Sequence, residues 1–202
     1  MLKKVLLVVG VIVVGLFVVI AMQPNEYSVE RSAVFSASPE AAFAQVNDFH
    51  KWDQWSPWAK LDPTMKSTYS GPEAGVGASI AWVGNSAAGE GKMEILESKP
   101  GEYVKINLEF IKPFAGISTT HFRFAKEGEG TKVTWRMEGK NSMMGKAFSL
   151  VMNMDKRIGA DFDKGLAQMK VVSETAHAQA LAQAQKKAAD EAAAAQVAAP
   201  TP

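Results

Sequence analysis

The 202-residue chain contains no cysteine, and this absence removes several kinds of chemistry together. Without a thiol the chain can form no disulfide, present no thiolate nucleophile and offer no cysteine ligand to a metal. The redox compartment stays open, since an exported protein can fold without disulfides.

An excess of charge of either sign is also missing. The sequence has 22 Lys and Arg against 21 Asp and Glu, a formal net charge of +1 at pH 7. A chain this balanced has no overall field to attract a polyanion. The composition therefore argues against nucleic acid as a partner, and it names no protein partner.

The short motifs typical of common catalytic sites are absent as well. The sequence contains no HExxH, GxSxG, GxxxxGK[ST], GxGxxG or CxxC, so metalloprotease, hydrolase, nucleotide and thiol chemistry lack motif support. Its three histidines, His50, His121 and His177, stand at no spacing typical of a metal site. We therefore expect no metal and no cofactor, and an enzyme is less favoured than a binding protein.

One long hydrophobic run does stand out, at the amino terminus. Val5 to Met22 carries no charged or polar side chain, and its 18 residues would form a helix of about 27 Å, close to the thickness of a bilayer core. Two interpretations stay open: an uncleaved anchor over residues 1–24, or a secretory signal peptide cleaved after Ala21. The length favours the anchor, because a signal h-region usually has about 7 to 15 residues.

The charges around this run predict its orientation. Lys3 and Lys4 precede it, whereas Glu26 and Glu30 follow it. By the positive-inside rule the amino terminus stays in the cytoplasm and the rest of the chain lies outside. In a bacterium this places the following domain in the periplasm.

Residues 26–173 have the length of one domain, and their pattern predicts an α+β fold. Tyr27 to Phe35 alternates as a strand, and Ser38-Pro39-Glu40 supplies the N-cap, proline and acid typical of a helix start. A second short helical turn ends at Pro57. Alternating apolar sets separated by turn signals then predict an antiparallel meander. These sets are Ala78, Ile80 and Trp82; Met93 and Ile95; Val104, Ile106, Leu108 and Phe110; Ser118, Thr120, Phe122 and Phe124; and Val133, Trp135 and Met137.

From Phe148 to Val172 the apolar period changes to three and four, which predicts a long helix with one apolar stripe. The helix and the apolar face of the sheet would bury each other. Residues 174–202 are rich in alanine, and only Leu181 and Val197 offer a sizeable apolar side chain. We expect a fraying helical extension and tail there, with a spacer or partner-binding helix as the alternative.

The element order and five local segments carry a resemblance to a known superfamily. The segments are Trp52–Trp58 (WDQWSPW), Thr68–Pro72 (TYSGP), Gly75–Ala78 (GVGA), Gly130–Trp135 (GTKVTW) and Met152–Asp155 (MNMD). In these features the chain resembles the SRPBCC superfamily of START-like, helix-grip proteins, and most of all the bacterial polyketide cyclase/dehydrase-type proteins. The resemblance covers Glu26 to about Val172. It implies a curved antiparallel sheet wrapped around a long C-terminal helix, with a long cavity between them.

The candidate cavity wall consists of apolar residues on the predicted faces of sheet and helix. A packed core needs the same residue types, so a filled interior is the alternative. The candidates are Trp82, Phe110, Phe122, Phe124, Trp135, Met137, Met152 and Phe162. Trp52, Trp55 and Trp58 are candidates for a lid at the cavity mouth; in the alternative they pack the short helices over the end of the sheet.

Asp155 is the one weak catalytic candidate, and its role depends on where the long helix starts. If the helix begins at Asp155, the carboxylate is an N-cap or first-turn acid. If the helix begins near Ser142, Asp155 points into the cavity with a raised pKa and could act as a general acid. His121 has the strand parity opposite to Phe122 and Phe124, so we expect it on the solvent side.

These observations favour a membrane-tethered domain that binds a hydrophobic small molecule or lipid between the sheet and the C-terminal helix. Two alternatives remain: a polyketide cyclase or aromatase-like enzyme, and a non-catalytic interaction module of a cell envelope. The identity of the ligand lies beyond the sequence.

Overall fold

The computed structural model describes residues 2–151 and 154–198. It begins with an apolar helix, continues as a sheet interrupted by short helices, and ends in a long helix. The elements are α1 (Leu2–Ala21), β1 (Glu26–Phe35), α2 (Pro39–Val46), a 3-10 helix (Phe49–Gln54), β2 (Lys66–Ser70), β3 (Ser79–Val83), β4 (Glu90–Lys99), β5 (Tyr103–Lys112), β6 (Gly116–Glu127), β7 (Gly130–Lys140), α3 (Met143–Val151) and α4 (Met154–Ala198).

The seven strands form one antiparallel sheet in the order β1-β7-β6-β5-β4-β3-β2. With the long helix α4 beside it, the sheet forms the α+β helix-grip arrangement that the resemblance implied. The sequence pattern did not predict the edge strand β2. Its residues KSTYS are nearly all exposed and include one large apolar ring, Tyr69, so they lack the alternation that identified the other strands.

The predicted start of α2 is confirmed. The Ser38 side chain accepts a hydrogen bond from the Ala41 backbone N–H at 3.3 Å, and Pro39 opens the first turn. This capping supplies an acceptor to one of the backbone donors that a helix start leaves unpaired. The 3-10 helix that follows carries Trp52 into the core, and its C-cap residue Trp55 is buried there too.

The core lies between the inner face of the sheet and one stripe of α4. The stripe consists of Phe162, Leu166 and Met169, all at most 1% exposed, and α4 packs chiefly against β1 and α2. Gly165 permits the close approach, because a β-carbon there would lie 2.7 Å from Cζ3 of Trp135. Beyond Ala178 the described residues of α4 are exposed, so the tail contributes little burial to the domain.

The antiparallel order gives the sheet two distinct ends. We call the first the α1 end: it holds the start of β1, the end of β7, the β3–β4 loop and the β5–β6 turn. The other, the α2 end, holds α2, the β4–β5 turn and the β6–β7 turn. Only four residues, 22–25, separate α1 from the sheet.

Helix α1 is long and apolar enough to cross a membrane, and all but one of its residues are exposed. Its last turn contacts α3. The Lys146 ammonium donates hydrogen bonds to the Ala21 carbonyl oxygen at 3.2 Å and to Asn25 Oδ1 at 2.6 Å. A cation at the carboxyl end of a helix satisfies an unpaired carbonyl and complements the helix dipole.

Candidate functional site

Five of the candidate cavity residues lie in a filled core. The rings of Trp135 and Phe162 stack with centroids 4.1 Å apart, and those of Phe122 and Trp135 are 4.9 Å apart. Such spacings leave no room for a ligand between the rings. All five residues are at most 6% exposed: Phe122, Phe124, Trp135, Met137 and Phe162. The structure therefore places these five residues in a packed interior, which was the alternative to a cavity wall.

Two of the three lid candidates are also core residues. Trp52 donates its ring N–H to the Val46 carbonyl oxygen, and Trp55 donates to that of Gln45, each at 3.0 Å. Both residues are buried, so they hold the 3-10 helix and α2 to the sheet instead of covering an opening. Trp58 is 36% exposed, and its ring packs edge to face against the rings of Trp135 and Phe162. Among the three, Trp58 alone has the exposure that a lid needs.

The remaining described candidates, Trp82 and Phe110, belong to an open part of the inner face. Register connects them across the sheet, because Trp82 pairs with Gly91 and Gly91 pairs with Phe110. Met93 and Leu108 pair with each other in the neighbouring row, and all four side chains are partly exposed. We call Trp82, Met93, Leu108 and Phe110 the apolar floor. The floor belongs to β3, β4 and β5, whereas α4 packs chiefly over β1 and α2.

Trp82 is held rigidly at the edge of this floor. Its ring N–H donates to the Ala88 carbonyl oxygen at 3.1 Å, and its ring lies over the backbone of Gly91. A β-carbon at Gly91 would lie 2.5 Å from Cζ2 of Trp82 and 2.6 Å from the Glu109 carbonyl oxygen. The glycine is thus required by the close approach of the indole ring.

A pair of hydroxyl groups lies beside the apolar floor. The Tyr27 hydroxyl and Ser118 Oγ are hydrogen-bonded at 2.8 Å, and Ser118 is paired with Leu108 in the sheet register. Gly139 stands between the two residues in the same row, and its missing side chain makes room for the tyrosine ring. Each hydroxyl can both donate and accept, so the pair keeps hydrogen-bonding capacity for a third group.

The structure places Asp155 in the first turn of α4, as the first of the two alternatives required. Its carboxylate is exposed and accepts hydrogen bonds from the Arg31 guanidinium at 3.1 and 3.2 Å. The hydrogen bond from Arg31 lowers the pKa of Asp155 below its ordinary value. A general acid in an apolar cavity needs the opposite shift, so this geometry gives Asp155 a structural role.

His121 lies on the outer face of the sheet, as its parity indicated. Its Nδ1 is 2.6 Å from the Tyr103 hydroxyl and its Nε2 is 3.3 Å from Glu138 Oε1. Burial, followed by the charge of Glu97, raises the pKa of Tyr103. This cluster is a surface network on the face of the sheet opposite to the apolar floor.

A polar cleft at the α2 end was not predicted. It has a volume of about 330 Å³ and includes His50 and Tyr69, whose rings stack with centroids 4.1 Å apart. Asp48 Oδ1 lies 2.9 Å from His50 Nδ1, and burial together with the charges of Asp53 and Asp48 raises the pKa of Tyr69. Tyr69 belongs to the TYSGP segment, but only the pairing of β2 with β3 brings it to the 3-10 helix.

The last cavity candidate is Met152, and the last question about the site is whether its side chains could hold a metal. Met152 lies outside the described residues, so its place in the cavity wall stays a prediction. Among residues 2–151 and 154–198, no group of three His, Asp or Glu side chains is arranged to hold a metal ion.

Comparison with known proteins defines the class of the chain. Residues 26–174 match the family model described as polyketide cyclase/dehydrase and lipid transport. The match covers most of the chain and the whole sheet, so the chain belongs to this family. It is an SRPBCC-type protein preceded by an apolar amino-terminal helix. None of the curated proteins compared with the chain is a significant match.

Solved structures share the fold at low sequence identity. Protein CV1439 from Chromobacterium violaceum is 18% identical, with a TM-score of 0.53 over 75% of this chain and 98% of that one. A Staphylococcus aureus protein of unknown function, SA2116, is 14% identical, with a TM-score of 0.57 over 77% and 97%. The di-domain aromatase/cyclase StfQ of the steffimycin biosynthetic pathway is 12% identical, with a TM-score of 0.55 over 75% and 51%. These likenesses show the fold and leave the ligand open.

Proposed function

We propose that the protein binds a hydrophobic small molecule or lipid on the inner face of its curved sheet while α1 tethers it to a membrane. The observation that carries the proposal is the apolar floor, which is partly exposed on the inner face of the sheet. Membership in a family described by both cyclisation and lipid transport supports a ligand-binding or cyclase-type role.

The floor and the hydroxyl pair together suit a ligand with an apolar body and one polar end. Covering Trp82, Met93, Leu108 and Phe110 would remove apolar surface from water, which contributes about 25 cal/mol per Å². The Tyr27–Ser118 pair would hydrogen-bond the polar end. A mostly apolar site with few polar groups is the usual composition of small-molecule pockets.

Contacts at the end of α1 support an anchor over a cleaved signal peptide. The buried Lys146 donates to the Ala21 carbonyl oxygen, and Asn141 Nδ2 donates to the Pro24 carbonyl oxygen at 3.0 Å. Cleavage after Ala21 would remove the bond between Lys146 and α1, whereas the bond from Asn141 to Pro24 would stay with the domain. In the proposed orientation the amino terminus lies in the cytoplasm and the domain in the periplasm, as Lys3 and Lys4 indicate. Amino-terminal sequencing of the mature protein tests the anchor directly.

The same family membership makes a cyclase-type reaction the second candidate. Asp155 is exposed and paired with Arg31, so it does not face the apolar floor. In a cyclase-type reaction the Tyr27–Ser118 hydroxyl pair would therefore be the group that orients a substrate carbonyl. Tyr27→Phe would then abolish turnover of a polyketide substrate while leaving its binding within a few-fold of normal.

The binding proposal is tested with the full chain in phospholipid nanodiscs. Native mass spectrometry of the released protein should show retained lipid or another apolar molecule, and an NBD-labelled fatty acid should compete with it. Trp82→Ala and Phe110→Ser remove parts of the floor and should each weaken fatty-acid binding by tenfold or more.

Val83→Ala is the matched control, because Val83 neighbours Trp82 but is 55% exposed on the opposite face of β3. It should bind the probe like the unmodified chain. Equal affinity for the probe in the control and both floor variants, all of them folded by near-UV circular dichroism, would refute the proposed site.

A further inference from the structure

Exposed apolar side chains gather at the α1 end of the domain. Phe114 and Ile117, beside the β5–β6 turn, are 57% and 64% exposed, and Met144 on α3 is 56% exposed. We call the whole group the apolar rim: Ile111, Phe114, Ile117, Met143, Met144, Phe148 and Leu150, each at least 36% exposed. Exposed apolar side chains concentrated at one end of a folded domain indicate an interaction site.

The two parts of the rim are in contact with each other. The rings of Phe114 and Phe148 meet edge to face with centroids 5.6 Å apart, which joins the β5–β6 turn to α3. Phe110 of the apolar floor pairs with Gly116, the neighbour of Ile117, so the floor reaches the β5–β6 turn that carries part of the rim.

Helix α3, which carries four of the seven rim residues, also contacts the end of α1. Lys146 on α3 is 7% exposed and donates to the Ala21 carbonyl oxygen, in the last turn of α1. Its second bond, to Asn25 Oδ1, and the bond from Asn141 to Pro24 fix the short connection to β1. The α3 part of the rim is therefore held beside the carboxyl end of α1, and Phe114 contacts it through Phe148.

We propose that the rim docks on the surface of the bilayer that α1 crosses, so that the ligand site opens toward the membrane. This inference rests on the proposed tethering by α1. An apolar helix of this length ends near the membrane–water interface, and α3 is bonded to that end. Aromatic and methionine side chains at this depth leave water for the headgroup region. Because α3 is bonded to the end of α1, the contacts favour a bilayer as the partner of the rim over a second copy of the chain.

The opposite end of the domain is built differently and serves as an internal reference. Its β6–β7 turn has the sequence Lys126-Glu127-Gly128-Glu129, without an apolar side chain. Strand β6 has 12 residues, so this turn lies roughly 40 Å from the rim at about 3.3 Å per residue. A docked rim would hold Glu129 far from the lipid.

The absence of cysteine allows single labelled positions to test the docking. The full chain carries Phe114→Cys, Met144→Cys, Glu129→Cys or Val13→Cys, each labelled with NBD and reconstituted in phosphatidylethanolamine and phosphatidylglycerol vesicles. Lipids with a doxyl quencher near the headgroup, or deep in the acyl chain for position 13, are then compared with unlabelled lipids. We expect quenching at positions 114 and 144 to be several-fold stronger than at position 129, with blue-shifted emission. Phe114 and Met144 are both exposed, so neither substitution removes core packing.

Two results would overturn the docking. Quenching at 114 and 144 no stronger than at 129, with strong quenching at 13, would leave the tether intact and refute the rim. A blue shift at position 114 that increases with the protein-to-lipid ratio, without quenching by the doxyl lipid, would assign the rim to a second copy of the chain. Loss of quenching at 13 would instead refute the tether itself.

Discussion

Glycine residues in α4 show how single positions shape the inner face of the fold. Gly159 lies against the guanidinium of Arg31, and Gly165 lies against the ring of Trp135. Glycine inside a helix costs about 1 kcal/mol relative to alanine. Both positions are buried, so a side chain there would displace the group that crosses from the sheet.

Gly165→Ala should destabilise the domain. Its β-carbon would lie 2.7 Å from Trp135 and 3.2 Å from Cδ of Pro57, and overpacking of a core usually costs about 1–3 kcal/mol. After the gain of about 1 kcal/mol in helix propensity, we expect a net loss of up to about 2 kcal/mol in the free energy of unfolding. Chemical denaturation followed by tryptophan fluorescence measures it.

Gly145→Ala in α3 is the control, because its nearest neighbouring atom would be 3.4 Å away, an ordinary contact. It should leave the free energy of unfolding unchanged or slightly raised. A gain of about 1 kcal/mol in the stability of Gly165→Ala, the full effect of helix propensity, would contradict the close packing of α4 on Trp135.

The ion pair between Arg31 and Asp155 should make stability depend on pH. The pKa of Asp155 is lower in the folded state, so the pair stabilises the fold above the ordinary aspartate pKa of about 3.9. That contribution is lost as the pH falls through the lowered pKa. Asp155→Asn should therefore be less stable than the unmodified chain at neutral pH, and the difference should shrink below about pH 4.

The measurement is urea unfolding of both proteins across this pH range at low and high salt. Glu129→Gln, in the exposed β6–β7 turn, is the control and should follow the unmodified chain at every pH. A difference between Asp155→Asn and the unmodified chain that persists undiminished at low pH would exclude the ion pair as its cause.

At the level of elements, α3 and α4 divide what the sequence pattern had presented as one helical region. Helix α4 completes the core through Phe162, Leu166 and Met169, whereas α3 carries exposed apolar residues and bonds the end of α1. The two helices therefore do different work: one supports the fold, and the other connects the domain to the apolar helix.

Lys146→Met should weaken that connection. The methionine keeps the apolar stem but leaves the Ala21 and Asn25 oxygens without their charged donor, and hydrogen bonds to charged groups contribute about 1.5–3 kcal/mol. In detergent micelles, a glutamate-specific protease should cut after Glu26 faster in this variant. Lys187→Met, on the exposed tail of α4, should be cut at the normal rate. Equal rates in both variants would show that Lys146 does not secure α1.

At the level of the whole molecule, the fold separates three surfaces. The α2 end carries the polar cleft, the centre is filled by α4 and the buried tryptophans, and the α1 end keeps the apolar floor and rim exposed. The placement of both exposed apolar surfaces at the α1 end supports the proposal that the domain takes its ligand from the membrane. The family to which the chain belongs is described by lipid transport as well as by cyclisation, which is consistent with this arrangement.

The sequence by itself determined the elements and the faces of this protein. Alternation identified five strands after β1, the Ser38 cap located α2, and the long apolar run identified α1, because each is a local pattern along the chain. The edge strand β2 escaped, since its exposed polar residues carry no such pattern.

Only the tertiary structure decided which apolar residues are covered. Phe110 and Phe122 share the inner face by parity, yet one is 36% exposed and the other is fully buried. Alternation tells which way a side chain points, but the path of α4 over β1 and α2 decides what packs against it. The pairings of Arg31 with Asp155 and of Lys146 with Ala21 join positions more than 120 residues apart, and no local pattern encodes them.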